Sequence, residues 1–285
     1  MKRWRRNARQ PVRRKIGRAV VMDFGFTILG SGSRGNATVI HTAAGNLLLD
    51  AGFSAKELCV RMEKRAIDPA SIQALLITHE HEDHIRGCRV FADRFSIPVY
   101  ETAETARAIS HKKMNAANVV LIQPGNKFEL CGLTVEPFSV SHDVVDAVAY
   151  TFCRNGIKLG YATDLGCTNL LVMNKLRNCK ALVLESNYEP EYLRRSARPL
   201  QTKRRIMSRH GHLSNQDAMA ALEDLLNEQT EHLVFAHLSS ECNCPDLVRK
   251  MAEECLCCLN RNDIRIAVAA QDEPLETCWL NEQKV

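Results

Sequence analysis

No stretch of this 285-residue chain is apolar for long enough to span a bilayer. The basic N-terminus is not followed by an apolar core and a small-residue cleavage site, so an export signal is not expected. Acid is missing altogether from residues 1–21, which carry nine of the 38 Lys/Arg. The remaining 29 basic residues face 33 acidic ones, so the +5 of the whole chain becomes −4 without this stretch. Global charge therefore gives no reason to expect nucleic-acid binding, and any basic site must be local. Twelve cysteines would suit a disulfide scaffold in a short secreted chain. In a chain this long with no export signal they read as reduced thiols of a cytoplasmic protein. Internal repeats and low-complexity linkers are also missing. The expected organisation is a basic, disordered extension over 1–21 and one domain over 22–285, large enough for a real core.

What is present alternates strands and helices. FGFTILG, ATVIHT and NLLLD read as strands joined by turns, and SAKELCVRMEKRAI as a helix with Ser54 at its start. ALLITHEH is a buried strand running into a polar loop, followed by helical spacing over 84–95, a short strand at PVY and a helix over 102–111. KFEL, LTVEPFSV, AVAYTFC and IKLGYAT resemble a run of strands. A short helix at TNLLVMNKL, a strand at ALVLES, an amphipathic helix at NQDAMAALEDLLNEQ, a strand at HLVFAHL, a helix at LVRKMAEECLCCL and a strand at DIRIAVA complete the chain. This predicts an α/β domain with two sheets between helical layers.

Gly30-Ser-Gly32-Ser-Arg-Gly35 matches the glycine pattern of dinucleotide sites, and Asp50 follows at the right distance. The next segment, NATVIHT, is β-branched and alternating. It continues as a strand, where a pyrophosphate would need a helix N-terminus. A P-loop would need Gly-Lys-Ser/Thr, which is lacking. The pattern is a turn between strands, and its glycines permit close backbone approach to a neighbouring site.

His79-Glu-His81-Glu-Asp83-His84 is different. Four ligand-type side chains fall within six residues, just after a buried strand. One histidine would be an ordinary polar residue; four so close are hard to assign to packing. Neutral imidazoles and a carboxylate suit zinc, manganese or iron. Extended backbone puts His79 and His81 on one side, and the following turn can carry Asp83 and His84 towards a second ion. The remaining ligands must come from afar. His142, Asp164 and His237 each sit at the end of an apolar strand, where a rigid scaffold presents metal ligands.

This ordered set resembles the motifs of the metallo-β-lactamase superfamily, in its two-metal hydrolase branch, from about Phe24 to about Ala270. The resemblance implies an αββα four-layer sandwich with two mixed β-sheets. It implies that His79, His81 and His142 hold one divalent ion (zinc, or manganese or iron), that Asp83, His84 and His237 hold the other, and that Asp164 bridges them. Asp50 matches the early aspartate that supports the metal loop. A cysteine at position 164 would have pointed to antibiotic-hydrolysing enzymes. GSGSRGN, LLLDAGFSAKEL, THEHEDHIRG, ATDLG, LESNY, GHLSNQDA and HLSSECN are similar to the YycJ-like exonucleases of bacteria. Glu82 departs from the small residue or serine common there and should face outward. The larger nucleases of the superfamily insert a cap domain after the Asp164 position, for which this chain has no room.

The resemblance implies a metal-dependent phosphodiesterase acting on DNA ends, from the 5′ end by analogy. Two ions about 3.5–4 Å apart would share a hydroxide and clamp the phosphoryl group. Asp83 would also orient the nucleophile. Residues 194–209 hold seven Lys/Arg and no acid. Arg194, Arg195, Arg198, Lys203, Arg204 and Arg205 are thus candidates for phosphate-backbone contact, although such runs are often only solvated surface. His212, next to this run, is a candidate for leaving-group protonation or phosphate contact, or a cap for the helix after Ser214. The competing readings are a small-molecule phosphodiesterase, a thioester hydrolase, an RNA-processing nuclease and a non-catalytic relative. Cys242-x-Cys244 and Cys255-x-Cys257-Cys258 lack the usual structural-zinc spacing and read as helix packing. No membrane partner is expected.

Overall fold

A computed structural model describes residues 24–111 and 116–280. The basic extension over 1–21 lies outside the described residues. Two seven-stranded sheets form the centre. The first runs β1 (Phe24–Gly30), β2 (Ala37–Thr42), β3 (Asn46–Leu49), β4 (Ile72–Leu76), β5 (Val99–Thr102) and β6 (Val119–Ile122). The second runs β7 (Phe128–Leu130), β8 (Leu133–Ser139), β9 (Val148–Arg154), β10 (Ile157–Ala162), β11 (Ala181–Glu185), β12 (His232–Ala236) and β13 (Arg265–Val268). The last strand, β14 (Cys278–Trp279), returns to pair antiparallel with β1. Both sheets are mixed. Each begins antiparallel, over β1–β3 and β7–β10, and continues parallel, over β3–β6 and β10–β13.

The apolar runs of the sequence reflect strands buried on both faces. Alternation assigns the faces. Phe24, Phe26 and Ile28 of β1, Leu47 and Leu49 of β3, and Ala74 and Leu76 of β4 pack between the sheets, against Val135, Tyr150 and Phe152. Their neighbours Leu29, Leu48 and Leu75 face outward. That outer face is covered by α1 (Ala55–Glu63), α3 (Cys88–Phe95) and α4 (Ala103–His111). Between α1 and α3 lies the short α2 (Glu82–Ile85). The outer face of the second sheet is covered by α5 (Leu170–Leu176), α8 (Asn215–Leu225) and α9 (Pro245–Cys258). The result is four layers, αββα, with α6 (Pro190–Arg195) and α7 (Leu200–Ile206) standing at one end.

The helical spacing over 84–95 resolves into two helices, because the chain breaks at Gly87. A Cβ there would lie 2.2 Å from the Phe53 carbonyl oxygen, and the Gly87 N–H donates to Ala51 O at 2.8 Å. Tertiary contact overrides local pattern at that point. Strand β6 and the two-residue β14 add to the expected strands.

Candidate metal centre

Six of the parallel or site-proximal strands end at one rim, and each delivers a polar side chain there. Asp50 follows β3, Thr78 to His84 follow β4, His142 follows β8, Asp164 follows β10, Glu185 ends β11 and His237 follows β12. Asp50, Asp164 and His237 all have left-handed backbones, with φ of 59°, 56° and 57°. Such conformations in non-glycine residues persist where surrounding contacts over-determine them, and they concentrate at functional sites.

The predicted residues come together in three overlapping triples, one of them His79, His84 and Asp164, and Asp164 and His237 also group with Glu185 and His212. The donor atoms of His79, His81 and His142 lie within 4.8 Å of one another, as do those of Asp83, His84 and His237. Asp164 stands between these two. Its Oδ2 is 3.2 Å from His84 Nε2, and its Oδ1 is 3.4 Å from His237 Nε2 and 3.7 Å from His142 Nε2. His79, His84, His142, Asp164 and His237 are buried, and His81 and Asp83 are half-buried. Glu82, by contrast, points to solvent.

The far sides of the His84, His142 and His237 rings are anchored within the protein. His84 Nδ1 donates to Asp50 Oδ2 at 2.7 Å, and Asp50 Oδ1 accepts the Thr78 N–H at 2.9 Å. His142 Nδ1 donates to Gly211 O at 3.0 Å. His237 Nδ1 lies 3.1 Å from Glu185 Oε1. Partners of this kind fix ring orientation and tautomer, and leave the Nε2 atoms for a metal. The Nε2 atoms of His79 and His237 are buried without a hydrogen-bond partner. Burying unsatisfied ring nitrogens is costly, so a divalent cation fits the donor set.

Proton affinities support this. Burial pulls the His79 imidazole well below its ordinary range, and the neighbouring His84 imidazole adds to that. Burial acts on His237 too, but Asp164, Asp83 and Glu185 outweigh it and push the ring up to about 10. His84 is likewise raised, against burial, by Asp164, Asp50 and Asp83. In a cation-free site His84 and His237 hold protons where an ion would supply the positive charge.

Glu185 is a site residue that the sequence reading missed. It is fully buried and accepts the Leu165 N–H at 2.6 Å and the Leu213 N–H at 3.3 Å. His212 Nδ1 donates to it at 2.7 Å. His212 is therefore no helix cap; the cap of α8 is Ser214, whose hydroxyl accepts the Asp217 N–H. The His212 ring instead stacks on His237 with centroids 5.2 Å apart. A clue was available: ALVLE ends in a polar group, as do the strands that present His237 and Asp164. Because Glu185 orients two rings, Glu185→Gln is expected to lower activity or metal affinity by about 10–100-fold. Steady-state kinetics beside a metal titration would check this, and unchanged values for both would count against the role.

A recess of about 220 Å³ opens above these residues. His81, Asp83, Asp164, His212 and His237 form its base, and Asp143, Arg198, Thr202, Arg205 and Ser33 contribute to its walls. Of the basic candidates, only Arg198 and Arg205 line it. Arg205 is ion-paired with Asp143, and Arg198 with Glu241 at 2.9 Å. Arg194, Arg195 and Arg204 are solvent-exposed on α6 and α7, and Lys203 Nζ donates to Arg194 O.

Residues 45–238 match the family described as the Beta-lactamase superfamily domain. Exodeoxyribonuclease YycJ of Bacillus anthracis is 34% identical over 237 residues, which cover 82% of this chain and 90% of that protein. This chain belongs to the YycJ-like family of metallo-β-lactamase-fold hydrolases. Exodeoxyribonuclease WalJ of Streptococcus pneumoniae is 32% identical over 228 residues, 79% of this chain and 85% of WalJ. Among solved structures, the metallo-β-lactamase fold protein YhfI from Bacillus subtilis superposes with a TM-score of 0.65 at 16% identity, covering 88% of this chain and 98% of YhfI. That similarity speaks for the fold alone. As a YycJ-like protein the chain is an enzyme, a metal-dependent hydrolase, and the clustered His and Asp side chains are its candidate metal ligands.

Proposed function

We propose that this YycJ-like hydrolase is a DNA exonuclease with a dinuclear site. The position of Asp164 carries the reading, because one carboxylate reaches both imidazole clusters. His79, His81 and His142 would hold one ion, Asp83, His84 and His237 the other, with Asp164 shared and Asp50 supporting the loop. Divalent ions there would make a water nucleophile available at neutral pH and stabilise charge on the phosphoryl oxygens. Asp83 lines the recess and would orient that water. His212, held through Nδ1 by Glu185, has its other ring nitrogen to offer to the leaving oxygen. Arg198 and Arg205 would take the phosphates of the strand. No helix among the described residues is long and apolar enough to cross a membrane. DNA enters the reading from the names of the two relatives, and attack from the 5′ end by analogy with that family.

The test is degradation of 5′-labelled and 3′-labelled DNA, single- and double-stranded, with matched RNA, supplying zinc, manganese or iron in turn. Metal-dependent nucleotide release from the 5′ end of DNA is expected. Cleavage of RNA alone, or turnover of small esters without nuclease activity, would replace the reading. In the same assay Arg205→Ala is expected to raise KM for DNA about tenfold with little change in kcat, as removal of one charge-assisted hydrogen bond would. An unchanged KM would remove Arg205 from the substrate path.

A further inference from the structure

The glycine-rich turn between β1 and β2 has no part in the metal chemistry described above, yet it is tied to the site at several points. Ser31 Oγ accepts the His237 N–H at 2.9 Å and donates to Asn36 Oδ1 at 3.0 Å. Asn36 Oδ1 also accepts the Gly32 N–H at 2.9 Å, and the Asn36 N–H donates to Asp83 O at 2.8 Å. Gly35 lets the turn close on Phe53, where a Cβ would lie 2.7 Å from the ring. These bonds hold the tip of the turn against the recess. Ser33 lines that recess, together with Arg198, from the break between α6 and α7, and Arg205, from α7. The Ser33 hydroxyl and N–H have no partner among the described residues.

Beside Ser33 stand two arginines. Arg34 is 65% exposed and pairs at the rim with Asp272 at 2.7 Å. Arg86, just after α2, donates to the Arg34 carbonyl oxygen at 3.2 Å and lies 3.7 Å from Glu82. Both sit where exposed carboxylates, rather than buried ones, are their rivals. A phosphate can therefore compete for them. The recess thus has the Ser33 hydroxyl on one side and the Arg198 and Arg205 guanidinium groups on the other, with Arg34 and Arg86 adjoining Ser33 outside it.

We propose that the turn from Gly30 to Gly35 is the second jaw of a cleft for a single nucleic-acid strand. Ser33, Arg34 and Arg86 contact successive backbone phosphates on one side, while Arg198 and Arg205 contact them on the other. The proposal rests on the nuclease reading and adds the residues that hold the strand outside the metal centre. Such contacts position a strand without reading its sequence.

The experiment measures binding of a fluorescent single-stranded DNA oligonucleotide by anisotropy, with chelator present so that nothing is degraded, from about 50 to about 200 mM salt. Removing one arginine that neutralises a phosphate should reduce the slope of log K against log salt by about 0.7. Arg34→Ala and Arg86→Ala are each expected to show that reduction, and the double variant about twice as much. Arg107→Ala, on the outer helix α4, should leave the slope unchanged. A wild-type protein that binds and degrades DNA while both variants keep its slope would overturn the second jaw and leave the nuclease reading standing. An equal reduction in the Arg107 variant would also overturn it, because the effect would then be one of overall charge. A wild-type protein that neither binds nor degrades DNA would remove both.

Discussion

Asp164→Ala is expected to reduce hydrolysis by about a thousandfold or more and to lower the amount of bound metal. The carboxylate is buried, and its two oxygens lie 3.2–3.7 Å from imidazole nitrogens of both clusters. On the dinuclear reading, losing it would cost both ions a ligand and leave them without a shared one. Metal stabilisation of a developing charge is worth several kcal/mol, and each 1.36 kcal/mol is a factor of ten in rate. Asp164→Asn should fall almost as far, because a neutral amide retains the shape but supplies neither the charge nor a second oxygen donor. Elemental analysis and the labelled-DNA assay, made on the same preparation, check the two effects together. Full activity with full metal content in either variant would remove Asp164 from the centre. The contrast with Glu185→Gln is one of rank. A group that orients ligands costs one or two orders of magnitude, whereas a shared ligand costs the reaction.

The metal loop was legible in the sequence because its signal is local: four ligand-type side chains in six residues need no tertiary knowledge. His142, Asp164 and His237 were legible only in combination. Each ends an apolar strand, and their order matched a known family. The two triples that the resemblance implied are among the overlapping groups of ligand atoms in the described residues. Glu185 has the same strand-end context but belongs to no short motif, and it acts by orienting His212 and His237. The basic run at 194–209 was visible as charge. Which members reach the recess depends on how α6 and α7 are placed, and Arg198 falls in the break between them. The interruption at Gly87 was not legible either, because it answers to a carbonyl group 34 residues earlier in the chain, at Phe53.

A second backbone contact of this type gives the other large expected effect. Gly52→Ala should destabilise the protein by about 3 kcal/mol, at the upper end of overpacking costs. A Cβ at this position would lie 1.7 Å from the Asp83 carbonyl oxygen and 2.5 Å from the Asn36 nitrogen. Both obstacles are backbone, so no side chain can swing away. The segments are also bonded to one another: Asn36 N–H to Asp83 O at 2.8 Å, Gly52 N–H to Asn36 O at 2.9 Å, and Ala51 N–H to His84 O at 2.7 Å. For a domain of this size the loss corresponds to a fall in Tm of roughly 6–12 °C. Activity should suffer more than stability. The methyl group pushes on the peptide that carries the Asp83 carboxylate, and His84 follows it directly. Thermal unfolding measures the first effect, and nuclease rate well below the melting transition measures the second. A variant with a lowered Tm but full activity in the cold would show that the loop carrying Asp83 and His84 can move without consequence. That would count against the rigid placement on which the metal assignment depends. A large loss of rate in a protein that is still folded would tie the glycine to the chemistry through the backbone alone.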